Sequence, residues 1–196
     1  ITMKISASYW MFEGGLEARR PIAEAMQEAR DLGFDAIELC IGSQGVLTHK
    51  TTEAECQQIV KTARKIGIEI AGVASGESWG CSPSANDPAV RAKIIDFTKG
   101  ALQVTHWLGT DAYLFVPGAV DVFFLPDAEV IPYDICYQRA VDAVQQLLPT
   151  AEKLGVALGI ENVWNKFLLS PLEMKSFIDS FKSKQVGAYS MSVMSC

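Results

Sequence analysis

The stretch Leu154-Gly155-Val156-Ala157-Leu158-Gly159-Ile160-Glu161 carries the pattern that decides the fold of this chain. A Leu-Gly pair that ends a helix is followed by a short apolar run, and the run ends in a single carboxylate. The same punctuation occurs at Leu32-Gly33, Ile66-Gly67 and Leu108-Gly109, each time leading into another apolar run. A glycine just past a helix and an apolar strand soon after it are typical of a βα unit. Repetition of that unit predicts a parallel sheet covered by helices.

Apolar spacing between these glycines locates the individual elements. Strands are predicted at 3–8, 36–39, 68–73, 111–116, 156–160 and 186–189. Helices are predicted at 18–32, 51–66, 86–108 and 133–154, with a fifth that opens at Ser170-Pro171. Ser170 is expected to cap that fifth helix, and Glu173 is placed to complete a capping box with it.

Two architectures are compatible with a series of βα units. A doubly wound sheet usually carries a glycine-rich phosphate loop, but the glycines of this chain lack the G-x-G-x-x-G spacing. A (β/α)₈ TIM barrel needs no such loop and places its chemistry just after the strands, where Glu38, Pro117-Gly118 and Glu161 fall. We therefore predict an α/β fold that is an incomplete TIM barrel, containing about the first five and a half of the eight units. Residues 1–196 are expected to form one partial barrel domain.

Composition narrows the possible partners. The 196 residues are 49% hydrophobic and carry 17 basic and 23 acidic side chains, for a formal net charge of −6. No Lys/Arg run exceeds two residues, which argues against nucleic acid or an anionic membrane as partner. No apolar stretch reaches about 18 residues, so no membrane span is expected. Five scattered cysteines are expected to be free thiols, and we predict a soluble, cytoplasmic domain.

Glu161 is the first candidate for chemistry. A carboxylate at the mouth of a buried strand is costly unless it is paired or bound to a cation. Asn162, Trp164 and Asn165 follow it, and these side chains predict substrate binding. Amides can bind hydroxyl groups, and an indole can form the apolar wall of a sugar pocket. The alternative is that Glu161 is simply the partner in a salt bridge.

Other strand ends supply weaker candidates. Glu38 closes strand two, where it could contact substrate, support a neighbouring ligand or serve structure alone. Trp79, together with Glu77, follows strand three and could line the pocket or belong to a plain loop. His49 lies in a polar loop and His106 late in a helix, so we expect structural roles for both.

The segment LGIENVWNKFLLSPLEMKSFIDSFKSK, residues 158–184, resembles the xylose-isomerase-like TIM-barrel superfamily. It is most similar to the sugar-phosphate isomerase and epimerase branch, which contains L-xylulose and L-ribulose 5-phosphate 3-epimerases and relatives of tagatose 3-epimerase. A weaker similarity extends over about residues 3–189. It includes GFDAIELC at 33–40, GIEIAGVASG at 67–76 and LGTDAYLFVPG at 108–118.

The resemblance implies a divalent metal held by a Glu after strand five, an Asp after strand six, a His after strand seven and a Glu after strand eight. By that match Glu161 would be both a metal ligand and the acid/base catalyst, with Mn²⁺, Mg²⁺, Zn²⁺ or Co²⁺ as the cation. The implied partner is a small ketose or ketose phosphate. The cation would lower the cost of an enediolate while the carboxylate moves a proton between adjacent carbons.

The end of the sequence departs from that family pattern. Strand six of the family typically reads Val-Gly-x-Tyr-Phe-Asp-Val-Gly-Asn, and residues 186–189 fit its first four positions. Residues 190–196, Ser-Met-Ser-Val-Met-Ser-Cys, do not. Codons for Phe-Asp-Val-Gly-Asn-Val-Met, read after the loss of their first base, can encode that heptapeptide. We therefore expect an out-of-frame tail at 190–196, and a cloning remnant at residues 1–2 before Met3.

Truncation would have functional consequences. Met191 would replace the Asp ligand, and a thioether does not suit a hard cation. The 196-residue chain is accordingly expected to be inactive and to bind no metal. Its open barrel edge should make it either marginally stable or self-associating.

Two other readings stay open. One is a non-catalytic carbohydrate-binding or scaffold barrel whose tail is natural. The other is a different superfamily enzyme, such as an inosose dehydratase or a hydroxypyruvate isomerase. The DNA-repair endonuclease branch is disfavoured, because the chain is acidic and has only two histidines.

Overall fold

Strand and helix alternate along the chain in a computed structural model that describes residues 3–190. The predicted cloning remnant at 1–2 and residues 191–196 of the predicted tail, including Met191, lie outside the described residues. The strands are β1 (Ser6–Ser8), β2 (Ala36–Cys40), β3 (Glu69–Ala74), β4 (Ala112–Phe115), β5 (Ala157–Ile160) and β6 (Val186–Ala188). The helices are α1 (Ile22–Asp31), α2 (Glu53–Ile66), the single turn α3 (Glu77–Gly80), α4 (Pro88–Trp107), α5 (Tyr133–Leu154) and α6 (Pro171–Ser180).

The six strands form one parallel sheet in the order β1-β2-β3-β4-β5-β6. Sequential parallel neighbours, each joined by a helix, are the arrangement of a TIM barrel. The predicted α/β fold and the incomplete barrel are confirmed, with five βα units and a sixth strand. Within residues 3–190, β1 and β6 are the terminal strands of the sheet. Self-association through this open edge remains a prediction.

None of the helices described between residues 3 and 190 combines the length and the apolar character needed to cross a membrane.

The first helix begins later than its apolar spacing suggested. The prediction that it starts at residue 18 is wrong, because Ala18 has a left-handed backbone with φ of 52°. Pro21 precedes the first helical turn with an extended ψ of 128°, so α1 begins at Ile22. The carbonyl of Ala18 instead accepts a hydrogen bond from the backbone of Val46, 3.0 Å away.

The start of α6 is capped, but not by the predicted capping box. Ser170 Oγ accepts from the backbone N–H of Glu173 at 3.2 Å, as expected for the cap residue. The Glu173 carboxylate does not return to Ser170. It accepts from the backbone N–H of Leu169 at 2.9 Å and from the hydroxyl of Tyr133 at the start of α5. Glu173 therefore ties two helix starts together, because a tertiary donor competed for its carboxylate.

Two apolar clusters fill the fold, one on each side of the sheet. The larger lies between the strands and the helices. The smaller occupies the inner side of the sheet, where alternate strand residues point. Its members are Ala74, Leu114 and Val116, with Trp10, Val163 and Tyr189 packed against them. This inner cluster forms the floor beneath the carboxyl ends of the strands.

Candidate functional site

Glu161 comes directly after β5, at the carboxyl end of the sheet. Its backbone N–H donates to the carbonyl of Phe115 on β4 at 3.2 Å, which extends the strand ladder by one residue and fixes the start of the side chain. The side chain is half-buried, and burial raises the pKa of its carboxyl group to about 6. A carboxyl group that titrates near neutrality can both accept and release a proton under physiological conditions.

Glu38 on β2 is a second carboxylate on the same side of the sheet, and only 5% of its surface is exposed. Burial raises the pKa of Glu38 to about 7; the hydrogen bond from Ser8 opposes the shift and the negative charge of Glu161 adds to it. Ser8 Oγ donates to one carboxylate oxygen at 3.3 Å, and the hydroxyl of Tyr189 donates to the other. The negative charge of Glu161 therefore adds to the effect of burial in keeping Glu38 protonated to higher pH.

The side chain of Tyr189 reaches from the end of β6 across the sheet to β2. Its backbone N–H donates to the carbonyl of Ile160 at 2.8 Å, so it follows β6 alongside β5. Its ring then lies across Gly159, where an added Cβ would stand 2.6 Å from Tyr189 Cδ2. Its hydroxyl reaches Glu38 on β2. A side chain that begins at β6 thus occupies the interior as far as the second strand, and the bare backbone of Gly159 makes room for it.

An aromatic cluster, made of Trp79, Phe123, Phe124 and Trp164, lies over the carboxyl ends of the strands. Phe124 is at its centre, with ring centroids 5.1 Å from Trp79 and 6.3 Å from Trp164. Trp164 is 74% exposed, so most of its indole is available to a ligand. The two predicted tryptophans are therefore brought together, but through phenylalanines that the sequence analysis did not select. A Phe-Phe pair in the loop after a strand end was the signal that could have identified them.

Asn165 holds two loops together through hydrogen bonds. Its side chain is fully buried; Nδ2 donates to the carbonyl of Gly118 at 2.7 Å, and Oδ1 accepts from the N–H of Phe167 at 3.3 Å. Its own carbonyl accepts from the N–H of Val120 at 2.9 Å. The loop after β5 is thereby held against the loop after β4. Asn162, by contrast, is exposed in the same loop. Substrate contact by either asparagine stays a prediction.

Replacing Asn165 with Ala should separate these loops. The carbonyl of Gly118 and the N–H of Phe167 would lose their buried partners, at about 1–3 kcal/mol for each unsatisfied group. We expect Asn165→Ala to lower the free energy of unfolding in urea by about 2 kcal/mol or more. Asn162→Ala, the same change at an exposed position of the loop, should stay within about 0.5 kcal/mol of wild type. Equal free energies of unfolding for the two variants would contradict the inference that the Asn165 side chain holds the loops after β4 and β5 together.

The described residues do not by themselves form a metal site. Within residues 3–190, no three or more His, Cys, Asp and Glu side chains are grouped closely enough to hold an ion. His49 packs its ring on Phe97 at 4.8 Å, and His106 Nδ1 lies 2.9 Å from the carbonyl of Leu154. Glu161 and Glu38 are close enough for the charge of Glu161 to affect the pKa of Glu38, but two carboxylates are fewer than the four ligands that the family resemblance implies. Metal binding through Glu161 remains a prediction.

Comparison with known families and structures agrees with this architecture. A family model described as xylose isomerase-like TIM barrel matches residues 26–190. No curated protein matches the sequence.

The solved structures similar to this chain include several sugar epimerases. A crystal structure of D-psicose 3-epimerase in the presence of D-fructose is 22% identical, with a TM-score of 0.75. D-psicose 3-epimerase with D-tagatose from Clostridium cellulolyticum H10 is 18% identical, with a TM-score of 0.75. In both cases the match covers 94% of this chain and 62% of the other. The apo 3-keto-D-glucoside 4-epimerase from E. coli is 16% identical, with a TM-score of 0.71, and the match covers 94% and 66% of the two chains. The chain thus spans about three fifths of the length of the two psicose epimerases.

Proposed function

This chain belongs to the xylose isomerase-like TIM-barrel family, and from that membership we propose that the whole protein is a sugar or sugar-phosphate isomerase or epimerase. The observation that carries the proposal is the position of Glu161, a half-buried carboxyl group directly after β5, in the same loop as the exposed indole of Trp164. The two D-psicose 3-epimerase structures that this chain resembles are the reason for expecting a ketose.

In the proposed reaction Glu161 removes a proton from the carbon next to the ketose carbonyl. For isomerisation Glu161 returns that proton to the neighbouring carbon of the enediolate, whereas epimerisation needs a second acid on the opposite face, for which we propose the Glu after strand eight that the family resemblance implies. Trp164 would shield one face of the sugar from water, and Asn162 would bind a hydroxyl. A divalent metal belongs to the proposal for the whole protein, with Glu161 as one ligand. Because residues 3–190 supply too few ligands to hold it, the 196-residue chain is proposed to be inactive.

The proposal is tested with protein expressed from a gene in which the base proposed to be lost after the Tyr189 codon is restored. The product of that gene is called the full-length protein. D-Fructose, D-tagatose and their phosphates would be incubated with it in D₂O, with and without Mn²⁺. We expect deuterium to enter at a carbon next to the carbonyl and the epimer or isomer to accumulate. The 196-residue chain, assayed in parallel, should give neither. Full-length protein that folds, takes up metal and exchanges no ketose proton would refute the proposal.

A metal-free carbohydrate-binding barrel is the second candidate. It is favoured by the exposure of the Trp164 indole, which is 74% accessible and is available to stack on a sugar ring. Ketose binding by the full-length protein in the presence of EDTA, with no isotope exchange after metal is restored, would select it. The cytoplasmic location stays a prediction.

A further inference from the structure

A cavity of about 420 Å³ lies beside the aromatic cluster, between the loop after β3 and the loop after β4. Its volume falls in the range of about 300–1,000 Å³ that is usual for small-molecule sites. Both loops follow strand carboxyl ends, so the cavity opens on the same face of the barrel as Glu161. Trp79 belongs to both features, because it lines the cavity and also contacts Phe124 of the aromatic cluster.

The apolar part of the cavity consists of one indole and aliphatic side chains. Trp79 is half-buried, and its edge-to-face contact with Phe124 holds the ring in place. Val122, Leu125 and Ile131 line the same cavity. An aromatic wall of this kind suits the C–H faces of a pyranose ring, which are apolar although the rim of the ring carries hydroxyls.

The polar part of the lining contains three serines and three carboxylates, and two of the carboxylates are hydrogen-bonded to the backbone. Glu129 Oε2 accepts from the backbone N–H of Asn86 at 2.8 Å, and Asp87 Oδ1 caps α4 through the N–H of Ala89 at 2.8 Å. Each carboxylate thus has one oxygen fixed by the backbone while the other oxygen can accept from a ligand hydroxyl. Asp127 adds a third carboxylate. The cavity therefore offers oriented acceptors, which match a ligand rich in O–H donors.

Charge argues against an anionic ligand. The lining residues include no Lys, Arg or His. Arg91 and Arg139 lie behind the backbone of residues 84–86, where their Nη1 atoms donate to the carbonyls of Ala85 and Ser84 respectively. A phosphate group in the cavity would meet three carboxylates with no lining cation to offset them, and like charges at short range repel.

We propose that this cavity is a subsite for a neutral, unphosphorylated sugar unit, stacked on Trp79 and hydrogen-bonded by Glu129 and Asp87. The inference rests on the proposed function in taking the ligand to be a carbohydrate. It deepens that function by naming the substrate class as an uncharged saccharide or glycoside. The reacting sugar would lie at the mouth of the barrel, and a second, neutral sugar unit attached to it would extend into the cavity.

Two matched probes test the subsite in the 196-residue chain. Methyl α-D-glucopyranoside is neutral, whereas α-D-glucose 1-phosphate places a phosphate on the same ring. We expect the neutral probe to shift the indole N–H resonance of Trp79 saturably in ¹⁵N–¹H spectra, and to bind about tenfold more tightly than the phosphate. Trp79→Ala lacks the reporting indole, so its binding is measured by titration calorimetry alongside wild type; it should bind the neutral probe about tenfold more weakly.

Two Glu→Gln variants serve as checks that do not depend on removing a large side chain. Glu129→Gln should narrow the preference for the neutral probe, because one repelling charge is lost while the hydrogen bond to Asn86 can persist. Glu152→Gln, on the exposed end of α5, should leave both affinities unchanged. Equal or tighter binding of the phosphate, or undiminished binding by a folded Trp79→Ala chain, would overturn the subsite.

Failure of the subsite and failure of the proposed function give different results. If full-length protein exchanges ketose protons but neither probe shifts Trp79, the inference is wrong and the enzymatic function stands. If the neutral probe binds at Trp79 while the full-length protein exchanges no proton, the subsite stands and the proposed reaction is wrong.

Discussion

Glu161→Gln in the full-length protein should reduce the rate of ketose proton exchange by about 10²–10⁴-fold. A carboxamide has nearly the same shape as the carboxyl group but cannot take up a proton, so the exchange step loses its base. The backbone hydrogen bond from residue 161 to Phe115 does not involve the side chain, and the strand end should keep its position. Deuterium incorporation, measured apart from net epimerisation, reports the proton transfer directly.

Glu69→Gln is the matched control for that experiment. Glu69 opens β3 at the opposite end of the sheet, where its carboxylate makes an exposed ion pair with Lys4 at 2.5 Å. Exposed pairs of this kind contribute at most about 1 kcal/mol, so the substitution should leave exchange and folding close to wild type. A Glu161→Gln protein that folds and exchanges protons within about threefold of wild type would exclude Glu161 as the acid/base group.

The fold was predictable because its determinants are local. Each strand from β2 to β5 is preceded by a Leu-Gly or Ile-Gly pair at a helix end and consists of a buried apolar run, and both features lie within a few residues of each other. They predict the bounds of these strands to within about two residues, which is the usual uncertainty of such boundaries. The errors fall where tertiary contacts overrode local preference. Ala18 adopts a left-handed backbone while its carbonyl accepts from Val46, and Glu173 is drawn to Tyr133.

The site was less predictable, because its contacts join residues far apart in sequence. Nearness to a strand end predicted Glu161 and Glu38 as site residues, but Glu38 does not close its strand: it lies in the middle of β2. The sequence did not predict that Ser8 and Tyr189 donate to Glu38 from β1 and from the residue after β6. Such hydrogen bonds depend on how the strands are arranged in the folded sheet. Asn165 was selected for its amide, which could bind a sugar hydroxyl as readily as a backbone carbonyl. Only its burial distinguishes these partners.

Gly159→Ala should destabilise the chain by about 1–3 kcal/mol, because the new methyl group overpacks the interior. The added Cβ would lie 2.6 Å from Cδ2 and 3.1 Å from Cβ of Tyr189, so the ring must move as a whole rather than rotate at its tip. Movement of the ring would also withdraw the hydroxyl from Glu38 and leave that buried carboxylate with one donor fewer. Urea unfolding of the variant and of wild type measures the loss.

Gly187→Ala supplies a control in the same row of the sheet. Gly187 on β6 is the register partner of Gly159 on β5, yet within residues 3–190, its two chain neighbours apart, no atom lies within 4 Å of its added Cβ. The free energy of unfolding of the control should therefore stay within about 0.5 kcal/mol of wild type.

Tyr189→Ala removes the ring that Gly159 accommodates, so adding Gly159→Ala to that variant should lower the free energy of unfolding by less than it does in wild type. We expect a coupling energy of about 0.5–3 kcal/mol between the two positions. Additive costs in the double variant would contradict the packing of Tyr189 on Gly159, and with it the route by which β6 reaches Glu38.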